Sequence, residues 1–193
     1  MSDNPRLFHV SDLADIALFE PRPVRAGHPH QGLPPVVWAV GERLLHNYLL
    51  PRDCPRVTFY ATPDSDPADV ARLLGVTAAG HVIAIESGWL GRLRATTLWL
   101  YELPPDTFDL LDSIAAYYVS RQPVRPLTVR RVDDLLGELA RRDVELRVTP
   151  TLWPLRDAVL ASSLAFSFIQ MGNARPRTEE WHADDADWAN LRG

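Results

Sequence analysis

His9 and Ser11 stand two apart in the stretch RLFHVS, and on a strand residues two apart share a face. That sets an imidazole beside a hydroxyl. Such a pair gives or takes hydrogen bonds near neutral pH, which suits a sugar hydroxyl or a phosphate oxygen. Arg22, Arg52, Arg56 and Arg121 each lie beside a proline or one residue from one. Their planar guanidinium groups grip phosphates in pairs of hydrogen bonds, and stiff loops lower the cost of holding them ready. Each also has a bland reading, as a core-edge histidine or an ion-paired surface arginine. The arginine cluster counts for more than any member, and a locally held phosphate is the ligand it would suit.

Other chemistries find weaker support. Glu86 and Glu102 close two strand-like runs and would form a glycosidase pair if about 5 to 9 Å apart, though such residues are more often exposed rims. His28 and His30 in GHPHQG lack further ligands at a recognisable spacing, so no metal is expected. His182 beside Asp184, Asp185 and Asp187 lacks the glycine and final glutamate of a calcium loop and reads as a solvated acidic face. The single cysteine, Cys54, has no disulfide partner in the chain; its arginine neighbours would activate the thiol only by pointing toward it. All 20 basic residues are arginine. The absence of lysine excludes Schiff-base chemistry and a Walker A site. No G-x-S-x-G or G-x-G-x-x-G opens a helix, which argues against a nucleophile elbow and a Rossmann site.

The elements that must position these residues follow from periodicity and turn chemistry. RLFHVS reads as a strand, followed by a proline-, glycine- and histidine-rich loop to residue 35. VVWAV is a short buried strand feeding the helical pattern GERLLHNYLL, which Pro51 ends. RVTFYAT alternates as a strand. PDSDPADVARLLG carries the clearest helix signals, with acidic and serine residues at its start, Pro67 in the first turn and Gly75 after the last leucine. A strand HVIAIE, a helix SGWLGRLRA, and strands TLWLYELP and YYVS come next. VDDLLGELARRDVELRVTP predicts a helix then a strand, and LWPLRDAVLASSLAFSFIQM predicts a final amphipathic helix. Trp89, Trp99 and Trp153 are expected to fill the core or its edge.

At 193 residues and 46% hydrophobic, the chain suits one domain that buries its core without disulfides. Short strands broken by short helices, without a regular β-α-β cadence, predict a mixed α+β fold with split sheets and peripheral helices over residues 1–174. Residues 175–193 read as an acidic tail, whose Trp181 and Trp188 would engage the body or a protein partner. No apolar run is long enough to cross a membrane and the first residues lack a signal-peptide pattern, so a cytoplasmic location is expected. A net charge of −5 gives no global field for duplex nucleic acid.

Two resemblances extend this reading. The stretch from residue 6 to about 174, with NYLLPRDCPRVTFYA, AYYVSRQPV and TLWPLRDAV, resembles an uncharacterised bacterial domain family without an assigned activity. LFHVSD, the EPRP loop, and VVWAV leading to Tyr48 resemble the opening of the ADP-ribosyltransferase-like fold, which includes the RNA 2'-phosphotransferases. The second resemblance implies NAD, or a related nucleotide, as substrate. It places His9 on the ribose and Tyr48 on nicotinamide, with Trp38 or Tyr60 as competitors. Ser11 supports the ribose side, and Arg22, Arg52 and Arg121 hold the phosphates. The third motif of that fold is a glutamate that steadies the ribosyl cation, and here YYVS offers Tyr118 and Ser120 instead. A neutral hydroxyl supplies less stabilisation than a carboxylate, so Glu86 or Glu102 would have to substitute, or the domain would bind a nucleotide without cleaving it. The phosphotransferase branch uses histidine and arginines without that glutamate. A binding module acting through the tail or the proline-rich loop is the non-enzymatic rival.

Overall fold

A computed structural model describes residues 4–24 and 30–177. Among the described residues ten strands form, β1 Leu7–Ser11, β2 Val37–Gly41, β3 Arg56–Tyr60, β4 His81–Glu86, β5 Leu98–Leu103, β6 Asp109–Asp112, β7 Tyr117–Ser120, β8 Thr128–Val132, β9 Val144–Thr149 and β10 Ala165–Ile169. Four short α-helices lie between them, α1 Pro67–Asp69, α2 Leu90–Ala95, α3 Leu135–Ala140 and α4 Trp153–Leu160. A 3-10 helix at Glu42–Tyr48 follows β2 where the apolar pattern predicts a helix. The result is an α+β domain built on two sheets.

One sheet has the order β6-β7-β2-β1-β5-β8 with every pair antiparallel. The other has the order β10-β3-β4-β9, in which β4 and β9 run parallel. Alternation along the strands explains the layering, because it gives each sheet two apolar faces. Phe8, Val40 and Leu100 from the first sheet meet Ile83, Ile85 and Val144 from the second, around Leu44, Leu45, Leu49, Leu93 and Leu135. On the outer side of the second sheet Val57, Phe59, Val82 and Ala84 pack under Leu73, Leu152 and Val159. Leu7, Val37, Ala39 and Tyr101 are covered by Phe19 and Val124.

The helix signals act as expected. Asp66 accepts from the Ala68 N–H, Pro67 opens α1, one π-type turn at Val70–Leu74 follows, and Gly75 ends it at φ +68°. Asp134 accepts from the Gly137 N–H at the start of α3. The final helix differs from expectation. It stops at Leu160, and AFSFI pairs with β3 as β10, its Phe166 and Phe168 rings stacked at 4.6 Å. Two β-prone phenylalanines after a pair of serines favour the open edge of a sheet over a helix continued past Leu160. The strands β6 and β8, absent from the sequence reading, form the two edges of the larger sheet.

Trp89 and Trp99 pack against the core, and the Trp153 indole donates to the Arg175 carbonyl, as edge residues should. Among the described residues no helix is long and apolar enough to cross a membrane. The tail residues Trp181, Trp188, His182, Asp184, Asp185 and Asp187, like His28, lie outside the described residues.

Candidate functional site

β1 pairs with β5 over all five of its residues but with β2 only at Leu7↔Gly41 and Phe8↔Val40. Beyond Phe8 the two neighbours part, and a cleft of about 380 Å³ opens in the split. Phe8, His9 and Val10 form one wall and Trp38, Ala39 and Val40 the other. A strap of Arg22, Pro23 and Val24 closes one side, tied to the sheet by reciprocal backbone hydrogen bonds between Arg22 and Val36. Tyr48, Arg52 and Tyr117 complete the lining.

His9 sits where the strands separate. Its Nδ1 lies 3.0 Å from the Trp38 carbonyl oxygen, and a carbonyl only accepts, so Nδ1 carries the hydrogen. In the neutral ring Nε2 then holds a free lone pair. The one hydrogen bond of the ring among the described residues is that of Nδ1. Burial lowers the His9 pKa below its ordinary value, the bond to Trp38 opposes this, and Arg52 and Arg22 add to the lowering. The ring is therefore neutral at pH 7, braced against Phe19 at 4.8 Å.

The aromatic wall is continuous. Trp38 meets Tyr117 edge to face at 5.7 Å, and the Tyr48 hydroxyl donates to that of Tyr117 at 2.5 Å. Burial raises the Tyr48 pKa further above its ordinary value, with Tyr117 adding to the effect, so the phenol stays protonated. Arg22 and Arg52 are exposed at the mouth, and Arg52 faces Asp12 in a loose pair at 3.7 Å. This arrangement offers flat apolar faces for a ring, an imidazole acceptor for a hydroxyl, and two cations for an anion.

His9, Arg22, Trp38, Tyr48 and Arg52 are thus brought together as the sequence suggests. The others are not. Ser11 is buried and its Oγ accepts from the Leu13 N–H, fixing the turn after β1. Tyr118 faces a different hollow with Arg6, Gly41 and Arg43, because strand alternation sends Tyr117 to the cleft in its place. Ser120 is fully buried, exchanging a hydrogen bond with Thr107 and bonding the backbone of Gln122. Arg121 is exposed and does not line the cleft.

Neither glutamate reaches the cleft. Glu86 is buried and accepts from the Leu152 and Arg175 N–H groups, while Glu102 is held by Arg6. No carboxylate occurs among the described lining residues. Cys54 is buried, and burial raises its thiol to about 11 against the opposing pull of Arg56 and Arg92. Desolvation outweighs the arginines, and the thiol stays protonated. Tyr117 is the lining residue that sequence reasoning missed, because its face is set by the pairing of β7 with β2.

A ligand-sized, aromatic cleft at a strand split in a two-sheet α+β domain defines the class. The chain belongs to the family of unknown function DUF6886, whose model matches residues 8–174. That match covers the stretch resembling a domain family without an assigned activity, and it lends no support to the ADP-ribosyltransferase likeness. No curated protein matches the chain, and no solved structure does.

Proposed function

We propose that the cleft binds NAD or a related nucleotide, with the domain acting in the manner of the ADP-ribosyltransferase-like fold. The carrying observation is the strand split itself, where a neutral histidine, three aromatic side chains and two arginines converge. In this reading the His9 Nε2 accepts from a ribose hydroxyl, Trp38, Tyr48 and Tyr117 flank the nicotinamide ring, and Arg22 and Arg52 face the phosphates. A volume of about 380 Å³ lies at the lower end for small-molecule sites and suits the nicotinamide-ribose half, with the rest of the nucleotide leaving through the mouth. The reaction served is cleavage or transfer at the N-glycosidic carbon. The tyrosine hydroxyls are the groups available to face a developing ribosyl cation, and they stabilise it less than a carboxylate would.

The lack of a lining carboxylate among the described residues favours a second reading, phosphate transfer in the manner of the RNA 2'-phosphotransferases. One set of incubations tests both. With NAD alone, release of nicotinamide is expected, and loss of that release in His9→Ala with the fold retained supports the first reading. Release that is unchanged in that variant removes His9 from the mechanism. An NAD-dependent loss of phosphate from a 2'-phosphorylated RNA, without release from NAD alone, supports the second. Absence of both reactions together with absence of NAD binding by calorimetry overturns the nucleotide reading.

A further inference from the structure

Behind Tyr48 lies a second hollow of about 170 Å³, lined by Ser11, Asp12, Arg52, Arg56, Ile169 and Gln170 among others. Arg56 is 3% exposed and has no carboxylate partner among the described residues. Its Nη1 donates to the Cys54 carbonyl at 2.9 Å and the Pro51 carbonyl at 3.5 Å, and the guanidinium lies 5.9 Å from the Tyr48 ring centre. Its Nε has no acceptor, and no hydrogen bond from Nη2 occurs among the described residues. No described carboxylate compensates this charge. The cross-strand neighbours of Arg56 are Ile85 and Ile169, both apolar, and the buried Glu86 points to the opposite face of that sheet. A buried ion without a counter-ion is costly, and here carbonyl dipoles and one aromatic face are its only compensation among the described residues.

We propose that this hollow is an oxyanion subsite that takes a phosphate group, with Arg56 as its buried cation and Arg52 as its outer one. Arg52 and Tyr48 line both hollows, so an anion here sits next to whatever fills the cleft. The Asp12 carboxylate, 58% exposed at its side chain, opposes the anion at the rim and competes for Arg52 at 3.7 Å. The carrier of the phosphate rests on the nucleotide reading above, whereas the subsite rests on Arg56.

The test is calorimetric titration of inorganic pyrophosphate into the full chain at low ionic strength. Saturable binding at one site is expected, weakened at least fivefold in Arg52→Gln and lost in Arg56→Gln. If Arg56→Gln does not fold, two rim variants decide. Asp12→Asn should tighten binding severalfold, and Gln170→Glu, which sets a carboxylate into the wall, should weaken it about tenfold. No binding, or binding that ignores these variants, overturns the subsite. NAD binding that depends on Tyr117 and Arg52 but not on Arg56 overturns the subsite and leaves the nucleotide reading standing. Pyrophosphate binding with these dependences, but no NAD binding, does the reverse.

Discussion

At the scale of single residues the cleft depends on one tautomer. Because Nδ1–H of His9 is committed to the Trp38 carbonyl, Nε2 is an acceptor until the ring takes a second proton, and burial holds that event below the ordinary pH of about 6.5. NAD affinity is therefore expected to stay level between pH 8 and 6.5 and to fall only at lower pH, as measured by calorimetry. A midpoint above pH 6.5 would contradict the assigned environment. The tyrosine pair gives a sharper contrast. Tyr117→Ala should weaken nucleotide binding about tenfold, the worth of one aromatic contact, whereas Tyr118→Phe should change it less than about twofold. Equal effects would place the ligand elsewhere. His9, Trp38, Tyr48 and Arg52 were legible as residue types near turns. The choice between Tyr117 and Tyr118 was not, because it depends on which β2 partner each one opposes.

At the scale of elements, buried histidines and a glycine turn give the strongest expectations. The rings of His46 and His81 meet at 4.3 Å, tilted by 57°, and the Nε2 atom of each lacks a partner among the described residues. Burial lowers both pKa values, that of His46 to about 3, with His81 and nearby arginines adding to it. The unfolded chain takes up protons near pH 6.5 and the folded chain does not, so stability is constant above that pH and falls as pH drops from 6.5 toward 3. For His46 the slope approaches about 1.4 kcal/mol per pH unit, and His81 adds to it in the same direction. Urea midpoints at pH 7.5, 6.5 and 5.5 should show it, and His46→Phe should remove one proton's share; an unchanged slope would contradict this. Gly75 has φ +68° and ψ −144°, and open space where a Cβ would sit. Gly75→Ala should cost about 1 to 3 kcal/mol through backbone strain alone, and an unchanged urea midpoint would contradict it. The caps at Asp66 and Asp134 were legible because capping is local chemistry. β10 was not, since AFSFI continues the apolar spacing of the helix before it, and only the open edge of β3 makes it a strand.

At the scale of the whole molecule, Glu138 links the two sheets. Its carboxylate, on α3, accepts from Arg130 of β8 at 2.7 Å and from Arg141 and Arg142, and α3 leads directly into β9. The hydrogen bond from Arg130, with help from Arg141 and Arg142, pulls its pKa down to about 2. This contribution is complete above pH 4.5 and is lost as pH falls through 2. Glu138→Gln is expected to cost about 1 to 3 kcal/mol at pH 7 by urea denaturation, and no loss would contradict the link. The α+β class with split sheets was legible from the irregular cadence of short elements, but which strands pair within each sheet depends on long-range contacts that no local pattern encodes. The strand split is such a feature, and the proposed function rests on it. Its most direct test is a titration of NAD into the chain labelled with ¹⁵N-histidine, followed by NMR at pH 7.5. The His9 Nε2 resonance should move in a saturable way while those of His46 and His81 stay in place. A His9 signal unchanged at millimolar NAD would contradict the site.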